Sequence, residues 1–199
     1  MNGVKRADFH MRKISILKGG GIKYHATLTI AADGATYEID REDNVPIIPA
    51  DDLTDPIWAL KEKLLNTCYL LQMETIIRSF EFKARKDQKE AVEKAMGLIR
   101  ENTQVTGVHV SGQDQNEGVI ISGKIKAVNG SNIALNSPRL RFSVTTYGFE
   151  EDLVEEVKNI EDELYLYLYE GKKAQLQAFT EEEQTGGMFD EKENSAETH

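Results

Sequence analysis

Two stretches of the chain alternate apolar and polar residues with a period of two, and each is followed by apolar residues three or four apart. In the first, Lys13 to Leu17 and Ile22 to Ile30 read as strands, with Tyr24, Ala26, Leu28 and Ile30 alternating against Lys23, His25, Thr27 and Thr29. Residues two apart share one face of a strand, so this pattern predicts a half-buried sheet. Gly19-Gly20-Gly21 predicts a hairpin between them, and Asp33-Gly34 a second turn, because that pair tolerates positive φ. Thr36 to Ile39 continues the meander, and Val45 to Ile48 is read as a short fourth strand before Pro49. Asp52 or Thr54 then caps a helix with Pro56 in its first turn. Along it Ile57, Leu60, Leu64, Cys68 and Leu71 form an apolar stripe, widened by Trp58, Leu65 and Tyr69.

Met73 to Phe82 fits an extended segment or a continuing helix equally. Asp87 to Glu101 predicts a surface helix, with Ala91, Ala95, Met96 and Ile99 on its apolar face and Lys86, Lys89, Glu90, Glu93 and Lys94 on the solvated one. Period two returns at Gln104, where Val105, Gly107, His109 and Ser111 alternate with Thr106, Val108 and Val110. Gly112 to Gly118 is a polar turn, Val119 to Val128 pairs back, and Asn129-Gly130 is a strong hairpin signal before strands at Asn132 to Asn136 and Leu140 to Thr146. Phe149 to Glu170 closes the second half as a helix, with Leu153, Val157, Ile160, Leu164 and Leu168 on one stripe.

The predicted fold is α+β: two antiparallel β-meanders, each closed by an amphipathic helix, with an additional surface helix between them. The halves, 13–72 and 103–172 around a helical insert at 73–102, share an order of elements. They are either ββββα pseudo-repeats or two unrelated meanders. Residues 1–12 are expected to be a flexible N-terminal extension, 13–178 a single domain, and 179–199 a disordered acidic tail with little to bury. Inside that tail Met188 and Phe189, framed by Asp190, are either a short docking motif for a partner or a chance apolar pair.

Charge changes the picture. The net charge of -10 is not uniform: Met1 to Gly148 carries 20 basic against 18 acidic residues, a balance of +2, and Phe149 to His199 carries 4 against 16, a balance of -12. Such asymmetry hints at a body that meets nucleic acid and an acidic extension, and it is also an ordinary way of staying soluble. With 199 residues, 40% of them hydrophobic, the chain fills one core. Cys68 is its single cysteine, which removes disulfide frameworks and cysteine zinc sites. No apolar run reaches the roughly 18 to 20 residues that span a bilayer, and Met1 to Lys13 lacks a secretory apolar core. A non-exported, cytoplasmic protein without membrane contact is therefore expected.

Catalytic signatures are not found. Lys18-Gly19-Gly20-Gly21-Ile22-Lys23 joins two strands and lacks the hydroxyl residue of a phosphate loop. Asp114-Gln115-Asn116-Glu117-Gly118 only begins a calcium loop. His10, His25, His109 and His199 stand apart from any metal-ligand spacing, although His25 and His109 occupy like positions on period-two strands and converge if the halves are repeats. The expectation is a protein without enzymatic activity, metal or cofactor.

Binding is better supported. Single-stranded nucleic acid needs cations along its backbone and aromatic faces under its bases. Lys13, Lys18, Lys23 and Tyr24 lie around the first hairpin, while Lys124 with Lys126 and Arg139 with Arg141 are spaced two apart in the second sheet. All of these but Lys13 make up the seven candidate nucleic-acid contacts, against the alternative that they are solubilising, edge-protecting charges. The run Leu164-Tyr165-Leu166-Tyr167-Leu168-Tyr169 wraps a helix with apolar groups, which predicts burial on several sides, by a second subunit in a homo-oligomer or within the monomer.

The stretch from Thr103 to Arg141, opening TQVTGVHVSGQDQNEGVIISGKIKAVNGSNIALNSPR, resembles bacteriophage and prophage proteins of no assigned activity. A four-strand-plus-helix unit occurring twice is similar in element order to Whirly and Pur-repeat single-stranded nucleic-acid-binding domains. An acidic tail with Met188, Phe189 and Asp190 resembles those of bacterial and phage single-stranded DNA-binding proteins, although ten residues follow Phe189. Gln184 to Phe189 also resembles a sliding-clamp-binding peptide with irregular glycine spacing. These resemblances imply a phage or prophage DNA-metabolism accessory protein in the host bacterial cytoplasm. It would bind single-stranded DNA on its sheet and recruit a replication or recombination protein through the tail. The alternative is an interaction or inhibitor module for a host factor, its acidic helix imitating nucleic-acid charge.

Overall fold

The computed structural model describes residues 4–70, 86–127, 129–144, 148 and 150–171. Strands β1 (Phe9–Ile16), β2 (Ile22–Ala32) and β3 (Ala35–Val45) form a meander. Helices α1 (Asp51–Ala59) and α2 (Lys61–Leu65) follow, and a π-helical turn at Asn66–Leu70 continues them. α3 (Lys86–Asn102) leads into β4 (Thr103–Ser111), β5 (Gly118–Lys126), β6 (Asn132–Asn136) and the short β7 (Leu140–Arg141), and α4 (Glu150–Tyr169) comes last. The strands make one antiparallel sheet in the order β3-β2-β1-β4-β5-β6, with β7 beside the end of β5 that β6 leaves uncovered. This is the α+β class that the periodicities predict.

The two halves meet where β1 pairs with β4, through Lys13 with His109, Ile14 with Val108 and Ser15 with Gly107. They agree in register as well as in order. β1 pairs Phe9 with Leu28, Ile14 with Tyr24 and Ile16 with Ile22, and the register slips between Met11 and Lys13. β4 pairs Thr103 with Ile125, Val108 with Ile121 and Val110 with Val119, and slips between Val105 and Gly107. A bulge at Arg12 thus answers one at Thr106, each inserting one residue into the alternation. Gly21 and Gly118, at the entries to β2 and β5, also correspond. A Cβ on Gly21 would run into the Val45 carbonyl, and one on Gly118 would lie 2.5 Å from the Leu140 carbonyl oxygen.

The correspondence ends at the third strands. β3 is continuous, whereas β6 and β7 are separated by Ser137, Pro138 and Arg139, since proline has no N–H for the ladder. Ser137 fills the gap: its N–H donates to the Ile121 carbonyl and its Oγ accepts from the Ile121 N–H, both at 2.9 Å.

Helices cover one face of the sheet crosswise. α1 packs on β4 and α4 on β1, so each half's helix lies over the inner strand of the other half. The core between them holds Phe9, Ile14, Tyr24, Val108, Ile121 and Leu140 from the sheet, and Ile57, Leu64, Ile160 and Leu164 from the helices. Where α2 comes down on β5, a Cβ on Gly123 would meet Leu64 Cδ2 and lie 2.8 Å from the Gln104 carbonyl oxygen, a backbone atom that cannot readily move aside. Lys63 on α2 and Glu156 on α4 form a half-buried ion pair at 2.6 Å. The Leu-Tyr run is covered within the chain. Tyr165 and Tyr167 are buried and donate hydrogen bonds to the carbonyls of Val4 and Ile47, both at 2.7 Å. The Tyr165 ring lies 5.8 Å from Phe9 and 5.3 Å from Tyr169.

Several boundaries differ from the sequence expectations. Within the supposed extension 1–12, Phe9 is wholly buried, and Arg6 is paired to Glu161 at 2.8 Å and to Asp162. The chain is therefore anchored from its first helical turn. Val45 to Ile48 is not a fourth strand: β3 itself runs to Val45, and Ile47 and Ile48 are exposed. Charged residues at every second position of β3 hide an edge strand that needs no buried face. The strand expected at Leu140 to Thr146 shrinks to Leu140–Arg141. Residues 73–82 and the tail, with Met188, Phe189 and Asp190, lie outside the described residues.

Because Ile14 sits fully buried where the halves join, while Ile39 is 48% exposed, truncating them should separate sharply. Urea unfolding followed by circular dichroism is expected to show Ile14→Ala losing about 2–5 kcal/mol, and Ile39→Ala changing stability by no more than about 0.5 kcal/mol.

Candidate functional site

Side chains that alternate with the core residues emerge on the opposite face of the sheet. Cross-strand pairing lines them up in rows. The middle row runs Glu42, His25, Lys13, His109, Ile120 from β3 to β5. The next runs Asn44, Lys23, Ser15, Gly107, Ser122, Asn136 from β3 to β6. Lys13 therefore stands between two histidines, each one strand away. With strands about 4.8 Å apart, the three side chains fall within roughly 10 Å.

The bulge at Arg12 re-aims that side chain as well. By strict alternation Arg12 would share a face with Ile14 and be buried; the extra residue turns it to the open face instead. There its Nε donates to Thr27 Oγ1 at 3.1 Å, and the Thr27 hydroxyl donates to Asp40 Oδ1 at 2.9 Å. His25 Nε2 lies 3.5 Å from the same Asp40 oxygen, and Lys23 pairs with Glu42. Arg12, His25, Thr27, Asp40, His109 and the β4–β5 turn surround a groove of about 790 Å³. A second recess of about 580 Å³ lies at the other end of the face, beside Gln104, Lys124, Lys126 and Asn132.

The groove is electrostatically mixed, with Arg12, His25 and His109 facing Glu38, Asp40 and Asp114. Partial burial lowers the His109 pKa below its ordinary value, and the charges of Lys13 and His25 lower it further. A negative group placed among them relieves that repulsion. Acidic residues stand on both sides of the groove, Glu38 and Asp40 on β3 and Asp114 in the β4–β5 turn. Away from the face, burial raises the Cys68 thiol, whose Sγ donates to the Asn136 carbonyl at 3.5 Å. Among the described residues no group of three His, Cys, Asp or Glu side chains is placed to hold a metal ion. Nor is any helix of the described residues long and apolar enough to cross a membrane.

Of the seven contacts expected from sequence, Lys23, Lys124, Lys126 and Arg141 reach the open face by register. Lys18 is exposed in the β1–β2 turn at its rim. Tyr24 is a correction. It is 1% exposed on the helix-covered face, where burial raises its pKa, and it cannot stack on a base. Period two already separates it from its neighbours Lys23 and His25. Arg139 is a second correction: it lies in the bend between β6 and β7, and its Nη2 donates to the carbonyls of Ser111 (3.0 Å) and Asn116, clamping the β4–β5 turn. A Cβ on Gly112 would collide with that guanidinium, and Gly112 has a φ of 93°. The residue missed outright is Arg12; Lys13 is placed by sequence at the first hairpin without being counted among the seven, and His25 and His109 are expected to converge only if the halves are repeats. The likeness of the two histidines' positions was the signal for them, and the bulge carried none.

Nuclear magnetic resonance titration of the histidines tests this arrangement. His109 is expected to protonate below the ordinary value near 6.5, and Lys13→Met is expected to move it upward. A His109 titration unmoved by Lys13→Met would show that the two do not share a field.

Comparison with models of known protein families, with curated proteins and with solved structures returned no match.

Proposed function

We propose that the open face binds single-stranded nucleic acid, led by the phosphate backbone, and that the protein is a non-enzymatic accessory of phage or prophage DNA metabolism. The observation that carries this is the sharing of one face by Arg12, Lys13, Lys23, Lys124, Lys126 and Arg141, with Arg12 in the His25–His109 groove and Lys124 and Lys126 in the recess at the other end. Cations on a common surface can neutralise phosphates and release their counterions, which makes such binding salt-dependent. Phe9, Tyr24 and Tyr37 all belong to the helix-covered side by register, so stacking on the strands contributes little and sequence preference should be weak. Recruitment of a replication or recombination protein falls to Met188, Phe189 and Asp190 in the acidic tail. In this scheme the tail also competes with nucleic acid for the cations.

A second reading, a module that binds a host protein, is favoured by the exposed carboxylates Glu151, Asp152 and Glu155 along α4. Pull-down from nuclease-treated bacterial lysate separates the two, since one dominant protein partner that survives the treatment favours the second.

Fluorescence anisotropy with a labelled oligonucleotide is the direct test. Affinity should fall steeply with salt, and Lys124→Ala with Lys126→Ala should lower the slope of log K against log salt by roughly 1 to 2. Tyr24→Phe should leave binding unchanged, and deletion of 180–199 should strengthen it. Bound phosphate favours protonated His109, whose own pKa lies below the ordinary value. Binding therefore takes up a proton, and affinity should rise as pH is lowered toward 6 and below. Absence of binding at low salt by both full-length and truncated chains would falsify the proposal.

A further inference from the structure

Among the described residues, the two outer strands of the sheet differ in a complementary way. β3 is exposed along almost its whole length. Its open face carries Glu38, Asp40 and Glu42, and its other face carries Tyr37 and Ile39, which are 52% and 48% exposed. At the far edge, β6 sets the small Ala134 directly beside Lys124, and Asn132 beside Lys126, on the open face. On its other face Ile133 is 55% exposed. An outer strand offers N–H and C=O groups to a further strand; on β6 the Asn136 carbonyl already accepts from Cys68 Sγ, which leaves the part from Asn132 to Leu135 for such pairing.

We propose that β3 of one copy of this chain adds to β6 of a second copy, joining the two sheets edge to edge. Charge decides the partner. Across such a seam the acidic row of β3 would face Lys124 and Lys126 over the short Ala134 side chain. That distance is two strand spacings, about 10 Å, within the combined reach of a lysine and a carboxylate. Glu42 and Asp40 already touch Lys23 and His25, and a carboxylate has acceptor sites to spare for a further donor. On the other face Tyr37 and Ile39 would come beside Ile133 and leave water together. Pairing β3 with β3 sets Glu38, Asp40 and Glu42 of two copies against one another, and like charges across a ladder are destabilising. Pairing β6 with β6 brings lysines of both copies toward one seam with no acid between them.

A contact between unlike edges leaves one edge free on each side, so it continues into a ring or a filament rather than stopping at a symmetric pair. Each added copy would extend the open face, which goes beyond the nucleic-acid reading. Assembly is measured here without nucleic acid, so its failure is separate from failure of binding.

The test is light scattering after size exclusion, with sedimentation velocity, on the full chain freed of nucleic acid. At low salt, species larger than the monomer should grow with concentration, and they should recede at high salt. Ile39→Lys and Ile133→Lys, both at exposed positions, should each be monomeric. Mixed in equal amounts they should form dimers and nothing larger, because one retains only its β6 edge and the other only its β3 edge. Folding of both variants is verified by circular dichroism, and Lys124→Glu with Lys126→Glu blocks the same seam by charge should either variant fail to fold. A wild-type chain that stays monomeric at every concentration overturns the proposal. So does dimerisation of Ile133→Lys alone, which would mean β3 to β3, or of Ile39→Lys alone, which would mean β6 to β6.

Discussion

A seam of three residue pairs, Lys13 with His109, Ile14 with Val108 and Ser15 with Gly107, decides the shape of the whole molecule. It is short because a bulge bounds each of its strands, at Arg12 in β1 and at Thr106 in β4. Backbone hydrogen bonds over so few residues contribute about 0.5–1.5 kcal/mol each. What holds the seam is the wholly buried pair Ile14 and Val108 at its middle, each side chain worth about 1.5–3 kcal/mol on leaving water, and the crossing of the helices above it. With α1 resting on β4 and α4 on β1, neither half can leave without uncovering the other.

The same seam has an electrostatic consequence on the opposite face. By pairing Lys13 with His109 while β2 brings His25 to its other flank, it crowds three basic side chains into one row. That crowding is tolerated because the row is open to water and because Asp40 and Glu42 stand at one end of it. Partial burial first, and then the charges of Lys13 and His25, lower the His109 pKa, and groups perturbed in this way cluster at functional sites. The acidic β3 therefore balances the row at one end, while its β5 end is the apolar Ile120.

Much of the architecture was legible in the sequence because it rests on local chemistry. Asp33-Gly34 and Asn129-Gly130 mark their turns, period two marks β2, β4 and β5, and Leu153 to Leu164 marks the inner stripe of α4. The candidate site was legible only in part. Lys124 and Lys126 share a face by simple parity, and parity also places Tyr24 opposite Lys23, which the grouping of aromatic and basic residues by proximity overlooked. Arg12 was beyond parity altogether: a bulge is set by what the neighbouring strands require, and nothing local in Met11-Arg12-Lys13 announces it. Arg139 looked like a partner of Arg141 because Pro138 and the Ser137 detour that break the strand change its direction in a way spacing alone does not convey.

The crosswise placement of the helices has a bearing on how the protein is made. When β1 to β3 and the first helices have emerged from the ribosome, β1 has a bare edge, and α1 has no β4 to cover. Both wait until Thr103–Ser111 has been synthesised, so the closing contacts are distant in sequence and form late. Throughout that interval the nascent meander presents the Ile14 row to its surroundings, which makes the first hundred residues the stage of biogenesis at which this chain is most exposed to mispairing.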